Sequence, residues 1–201
     1  MNELLACIAY AMTVLILENV LFSRALGVTL AVSITRGYRY VFCFGLVTTV
    51  VAVVASIPAY FLSLLLQSWS FGLAVEPLAF TLLLGLLYLA GHLLLSRLPL
   101  GKLSELYKKY SNDIAQTVFN CVVLAALVFP FRERLDFGAS VGFALQVGAG
   151  YLIASLMVLE GQKRMATAKL PGAFRGFPAM LLYIGILAMA LYGFVGHPLP
   201  Y

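Results

Sequence analysis

Six apolar stretches, separated by short charged loops, leave this chain few ways to fold. They run over Leu4–Phe22, Tyr40–Leu66, Pro77–Leu95, Ile114–Phe129, Val141–Leu159 and Phe177–Val195. A helix needs about 20 apolar residues to cross roughly 30 Å of hydrocarbon, and these stretches reach or approach that length. Composition agrees: 63% of the 201 residues are hydrophobic and only 10% charged, against roughly half and a quarter in globular domains. The expectation is an all-α membrane protein of six transmembrane helices, a single domain spanning 1–201. The opening MNELLACIAY has no basic n-region and no small-residue cleavage site, so the first stretch is expected to be a retained helix. The second stretch is long enough to tilt or to extend beyond the membrane, and Pro58 within it predicts a kink.

The loops set the orientation. Arg24, Arg36 and Arg39 follow the first span; Arg97, Lys102, Lys108 and Lys109 follow the third; Lys163, Arg164, Lys169 and Arg175 follow the fifth. Eleven of the 13 basic residues therefore share one side. The other side has Arg132 and Arg134, locally offset by Glu133 and Asp136. By the positive-inside rule the long basic loops face the cytoplasm and both termini face outward. The net charge of +5 is spread over these loops and forms no continuous basic face, which excludes a nucleic-acid surface.

Six spans divide into two sets of three, about 1–100 and 101–201, and an odd number per set makes the second half enter from the opposite side. The first and fourth spans are the shorter and more polar, and each carries a buried-type amide, Asn19 and Asn120. An amide in hydrocarbon needs a protein partner. Bonding to neighbouring helices would satisfy both. As counterparts in an inverted repeat, they would instead mark a midplane site built from short or broken helices.

Glu18 reads as the acidic residue well inside a span. It is either a cation or proton site or, with Arg24 close behind, an end residue reaching the interface. Cys7, Cys43 and Cys121 form neither a disulfide framework nor a zinc spacing. Cys121, beside Asn120, could ligate iron, but one cysteine cannot hold a cluster and a lone buried one is more often packing. His92 and His197 have no second donor at ligand spacing. Tyr38, Tyr40, Tyr107 and Tyr110 flank the basic loops and suit an interfacial belt. The segment Pro171–Phe177, PGAFRGF, suggests a tight backbone feature around Arg175. No phosphate loop and no nucleophile–base arrangement is visible, so an enzyme acting alone is not expected.

Three motifs carry a resemblance. Glu18-Asn19-Val20-Leu21-Phe22-Ser23-Arg24-Ala25-Leu26-Gly27 resembles the first-helix motif of the Rnf/Nqr integral-membrane subunit family. Asn120-Cys121-Val122-Val123-Leu124 resembles its fourth-helix motif. Leu170–Gly176, with the following span ending Tyr192-Gly193-Phe194-Val195-Gly196, is similar to the C-terminal third of the RnfA/NqrE branch. The resemblance implies a six-helix inverted-repeat subunit of the bacterial cytoplasmic membrane, paired with a sister of RnfE/NqrD type. The complex would pass electrons between ferredoxin, NADH or quinone and couple them to Na+ or H+ transport, with catalysis in other subunits. It also implies a [2Fe-2S] cluster shared with the sister, each subunit giving two cysteines. Cys121 matches one; the other aligned position is Thr29, a poor iron ligand. The cluster is then lost, completed by a replacement such as Cys43, or absent from a divergent structural paralogue. On this resemblance Asn19, Thr29, Asn120 and Cys121 line the cofactor, and Glu18 shapes an ion path. From the residues alone, a small inverted-repeat secondary transporter coupled through Glu18 remains an alternative.

Overall fold

The computed structural model describes residues 19–33, 37–69, 71–97, 114–167 and 171–195. Glu18, Cys7, Tyr107, Tyr110 and His197 lie outside these. Among the described residues the chain is helical, without strands. The helices are α1 (Val20–Arg24), α2 (Val28–Ser33), α3 (Tyr38–Gln67), α4 (Gly72–Arg97), α5 (Cys121–Arg132), α6 (Phe137–Thr167) and α7 (Phe177–Val195). A helical turn over residues 114–118 precedes α5. Among the described residues, four stretches are long and apolar enough to cross a membrane: Tyr38–Gln67, Ala74–Leu94, Ile114–Arg132 and Phe137–Thr167. Phe177–Gly193 is apolar but shorter. In hydrocarbon, helices keep every backbone hydrogen bond within the segment, which is why even the Val- and Thr-rich α3 is helical.

The chain forms two compact units, Met1–Gly45 with Ala149–Tyr201, and Leu46–Gly148. The long helices α3 and α6 each give one end to either unit. In the second unit, α3 buries small residues (Ala52, Ala55, Ser56, Ala59) and turns Val50, Val54, Phe61 and Leu65 outward. This small-inside pattern lets helices approach closely where no water drives them together. Gly148 of α6 shows how closely: a Cβ there would lie 2.6 Å from the Cα of Thr49. α4 buries a single stripe, Glu76, Phe80 and Leu84, spaced at i, i+4 and i+8. Only 11% of its apolar window is buried, so nearly all of its surface is left to its surroundings. The stripe meets α5, where Phe80 packs edge-on against Phe131 at 5.8 Å.

In the first unit, α1 packs on α7. The Tyr183 hydroxyl of α7 donates to the Met157 carbonyl of α6 at 3.4 Å. The loop expected after Phe22 is in part helical, since α1 runs on to Arg24 and α2 follows. Ala25 ends α1 in the left-handed region (φ 55), Gly27 follows at φ 77, and the chain restarts as α2. At the head of α7, Gly172–Phe174 forms a 3-10 turn, and Gly176 at φ 87 redirects the chain into the helix. A side chain at such a φ would be strained.

Candidate functional site

Both amides singled out in the sequence sit at helix N-termini. Asn19 (3% exposed) caps α1, its Oδ1 accepting from the Leu21 N–H at 3.0 Å. Asn120 (4% exposed) caps α5, its Oδ1 accepting from the Val122 N–H at 3.1 Å. The first turns of a helix leave N–H groups without intrahelical acceptors, and in lipid no water serves them. An Asn at the break supplies one acceptor and stabilises the helix start by about 1 kcal/mol. The apolar stretch from Ile114 is therefore interrupted at Phe119–Asn120, where Asn120 is extended (φ −73, ψ 132).

The other end of each amide differs. Asn19 Nδ2 donates to the Gly150 carbonyl of α6 at 2.6 Å. Asn120 Nδ2 is buried and finds no acceptor among the described residues. Such a donor costs roughly 1–3 kcal/mol.

Cys121, the first residue of α5, is exposed, and its Sγ–H points to Asn120 Oδ1 at 3.8 Å. Thr29 is the second residue of α2 and is also exposed. Asn19 and Thr29 belong to the first unit; Asn120 and Cys121 belong to the second. Cys43 is exposed on α3. Among the described residues no three His, Cys, Asp or Glu side chains group to hold a metal ion.

The sequence missed Glu76. The apolar span expected there began at Pro77; the helix instead begins at Gly72 and encloses Pro77. Glu76 is fully buried and accepts from Arg132 Nε on both oxygens, at 3.0 and 3.2 Å. The sequence reads Arg132 and Arg134 as locally offset in charge by Glu133 and Asp136; the structure adds that the ion-pair partner of Arg132 comes from α4. The usable signal was a carboxylate in Ala-Val-Glu-Pro-Leu-Ala-Phe, within an otherwise apolar run.

On the basic side, the Tyr38 hydroxyl donates to Glu160, Arg164 Nε donates to Glu160 Oε1 at 3.1 Å, and Lys163 Nζ lies 3.4 Å above the Tyr38 ring. The ring and cation anchor the adjoining ends of α3 and α6. His92 stacks on Tyr88. Arg175 is exposed in the turn before α7.

A family model described as Rnf-Nqr subunit, membrane protein, matches residues 7–197. The chain belongs to the Rnf-Nqr subunit family. It is 27% identical over 183 residues to a protein of Aromatoleum aromaticum named as a subunit of an ion-translocating oxidoreductase complex, covering 90% of this chain and 92% of that one. A protein of the same name from Syntrophotalea carbinolica is 25% identical, again over 90% and 92%. A protein of Acetobacterium woodii, named as a subunit of the Na(+)-translocating ferredoxin:NAD(+) oxidoreductase complex, is 24% identical over 90% and 93%.

Against this Rnf-Nqr background the donor set can be weighed for a shared iron–sulfur cluster. Cys121 presents a thiol, the atom iron–sulfur clusters take, at an accessible helix start. Thr29 presents an alcohol. This chain's share of an all-cysteine cluster is therefore half supplied, and no electron-transfer step through a cluster follows from its residues.

Proposed function

We propose that this Rnf-Nqr chain is a membrane subunit of an ion-translocating electron-transport complex, of the RnfA/NqrE type. The observation that carries the reading is the family match over residues 7–197, with relatives named as members of such complexes along nine-tenths of the chain. The chain sits in the bacterial cytoplasmic membrane as six helices in two inverted repeats, about 1–100 and 101–201, with both termini outside. Two Asn-capped helix starts, one in each sequence half, support that repeat, because interrupted helices in corresponding positions are what such repeats place around a midplane site. A sister of RnfE/NqrD type completes the membrane pair, and the redox reactions with soluble carriers belong to other subunits. Asn19 and Asn120 hold the broken backbone, Cys121 offers one thiol at the shared boundary, Thr29 occupies the second ligand position, and Glu18 lies on the ion route.

The test is purification of the tagged chain, anaerobically and in mild detergent, as wild type and as Cys121→Ser. Co-purification of a second Rnf-Nqr membrane subunit with redox subunits is expected in both. Recovery of this chain alone from native membranes would overturn the assignment. Iron content and low-temperature EPR on the same samples decide the cofactor: a [2Fe-2S] signal lost in Cys121→Ser makes Cys121 a ligand. Identical iron and spectra in the two samples remove it from the electron path.

A further inference from the structure

The basic end of the first unit carries more positive charge than its fold uses. Among the described residues of that unit, Glu160 is the single carboxylate, against Arg24, Arg39, Lys163, Arg164 and Arg175. Both of its oxygens are taken: Tyr38 donates its hydroxyl to Oε2, and Arg164 donates Nε to Oε1 at 3.1 Å. Lys163, three residues on from Glu160, instead sets its Nζ over the Tyr38 ring, 3.4 Å from the centroid. One phenol therefore gathers both cations. Its ring carries the ammonium, and its hydroxyl reaches the carboxylate that holds the guanidinium. Neither cation is consumed, since Lys163 is exposed and the Arg164 side chain is 79% exposed. Arg39, the residue after Tyr38 on α3, is also exposed and has no ionic partner among the described residues.

The junction lies at the level of lipid headgroups. α3 has 30 residues and α6 has 31, about 46 Å of helix against a hydrocarbon core of roughly 30 Å. The excess lets these charged ends stand in the polar layer, where their cost is least. Orientation by the positive-inside rule needs such charges only to be present. It does not need them held by an aromatic ring and a shared carboxylate. Fixing long cationic side chains costs rotamer freedom, and that order is useful where a fixed anion meets them. Three cations (Arg39, Lys163 and Arg164) less the one carboxylate leave a surplus of two positive charges. A lipid headgroup with two phosphates has the matching charge. Phosphate oxygens accept from ammonium and guanidinium groups alike, and basic clusters at the cytoplasmic ends of membrane helices suit such headgroups.

We propose that the α3–α6 junction binds the headgroup of an anionic lipid with two phosphates, through Lys163, Arg164 and Arg39, with Tyr38 as the platform that sets them. The site goes beyond the functional assignment above and needs no partner subunit. Only the leaflet, the cytoplasmic one, follows from the orientation given there.

The experiment is thermal unfolding of the delipidated full-length chain in detergent. Cardiolipin, phosphatidylglycerol and phosphatidylcholine are added at equal lipid phosphate, and inorganic phosphate is added alone. Cardiolipin should raise the melting temperature by about 5 °C over phosphatidylcholine, saturably, as a ligand of the folded state does. Phosphatidylglycerol, with one phosphate, should raise it less. The double variant Arg39→Gln/Lys163→Gln should lose most of the increment, while Arg134→Gln, in the loop between α5 and α6, should keep it. Glu160→Gln retains an oxygen for Tyr38 but enlarges the positive surplus. It should lower the melting temperature in phosphatidylcholine and enlarge the cardiolipin increment, opposite signs that a merely damaged fold would not give. Equal melting temperatures in cardiolipin and phosphatidylcholine would leave the surplus to water or to a partner's carboxylates. An increment unchanged in the double variant would place the lipid elsewhere, and one matched by inorganic phosphate would make the ligand a free ion. Each of these three results overturns the site.

Discussion

The two compact units solve one problem with different means. Each contains a helix that starts inside an apolar stretch, capped by an asparagine buried to within a few per cent. In the first unit the asparagine also ties its helix to a neighbour, since Asn19 Nδ2 reaches the Gly150 carbonyl. In the second unit Asn120 caps α5, and its Nδ2 finds no acceptor among the described residues. The neighbour of α5 is instead secured by a charged bond, from Arg132 at the far end of α5 to Glu76 of α4. The lesson is that similar polar positions in a sequence fix similar local geometry, the helix start. They do not fix which neighbour is bonded.

The sharpest way to break this contrast is to remove the charged tie. The Glu76 carboxylate is fully buried while the Arg132 side chain is 54% exposed, so the two ends are not equivalent. Arg132→Ala strands a buried negative charge and should destabilise the chain by about 3 kcal/mol. Glu76→Gln leaves a guanidinium that can still reach water and should cost about 1 kcal/mol. Unfolding in detergent measures both; equal costs would show that Glu76 is solvated and that the pair does not hold α4 to α5.

Next in size is the comparison of the asparagines themselves. Asn19→Ala loses a cap and the bond to Gly150, about 2 kcal/mol together. Asn120→Ala loses a cap but also removes a donor without an acceptor, so its net cost should fall below about 1 kcal/mol. Serine separates the two effects, because it keeps an oxygen to cap the helix and deletes the amide nitrogen. Asn19→Ser should cost about 1 kcal/mol, whereas Asn120→Ser should be neutral or stabilising. If both serine variants cost the same, Asn120 Nδ2 is satisfied in the folded chain and the asymmetry disappears.

How much of this was legible depended on the kind of interaction. α3, α4, α6 and α7 could be located because the length of an apolar run is a direct constraint from the bilayer. Asn19 and Asn120 stood out because amides in such runs need a reason. Glu76 did not, because the apolar span expected there began one residue later, at Pro77, whereas the helix starts five residues before that proline. The partner of Arg132 was not legible for a related reason: it comes from another helix, α4, 56 residues away in sequence. The helix α2 was hidden in the connection between the first two expected spans. It is six residues long, too short to be told from a loop by periodicity.

The smallest expected effect lies at the end of α1, and it bears on why the first capped helix is short. α1 covers 5 residues and α5 covers 12. Ala25 stops α1 with φ 55, where its N–H returns to the Val20 carbonyl. An alanine in that conformation is strained by roughly 1 kcal/mol, which a glycine avoids. Ala25→Gly should therefore stabilise the fold, by about 0.5 kcal/mol once the greater freedom of glycine in the unfolded chain is subtracted. The same change made in the middle of α5, Ala125→Gly, should destabilise by about 1 kcal/mol or more, through lost helix propensity and a buried methyl. Opposite signs would show that the first unit needs its helix to stop where it does, while the second needs its helix to continue. A destabilising Ala25→Gly would mean that α1 extends through residue 25 in the membrane, and that the turn leading to α2 and Thr29 forms differently there.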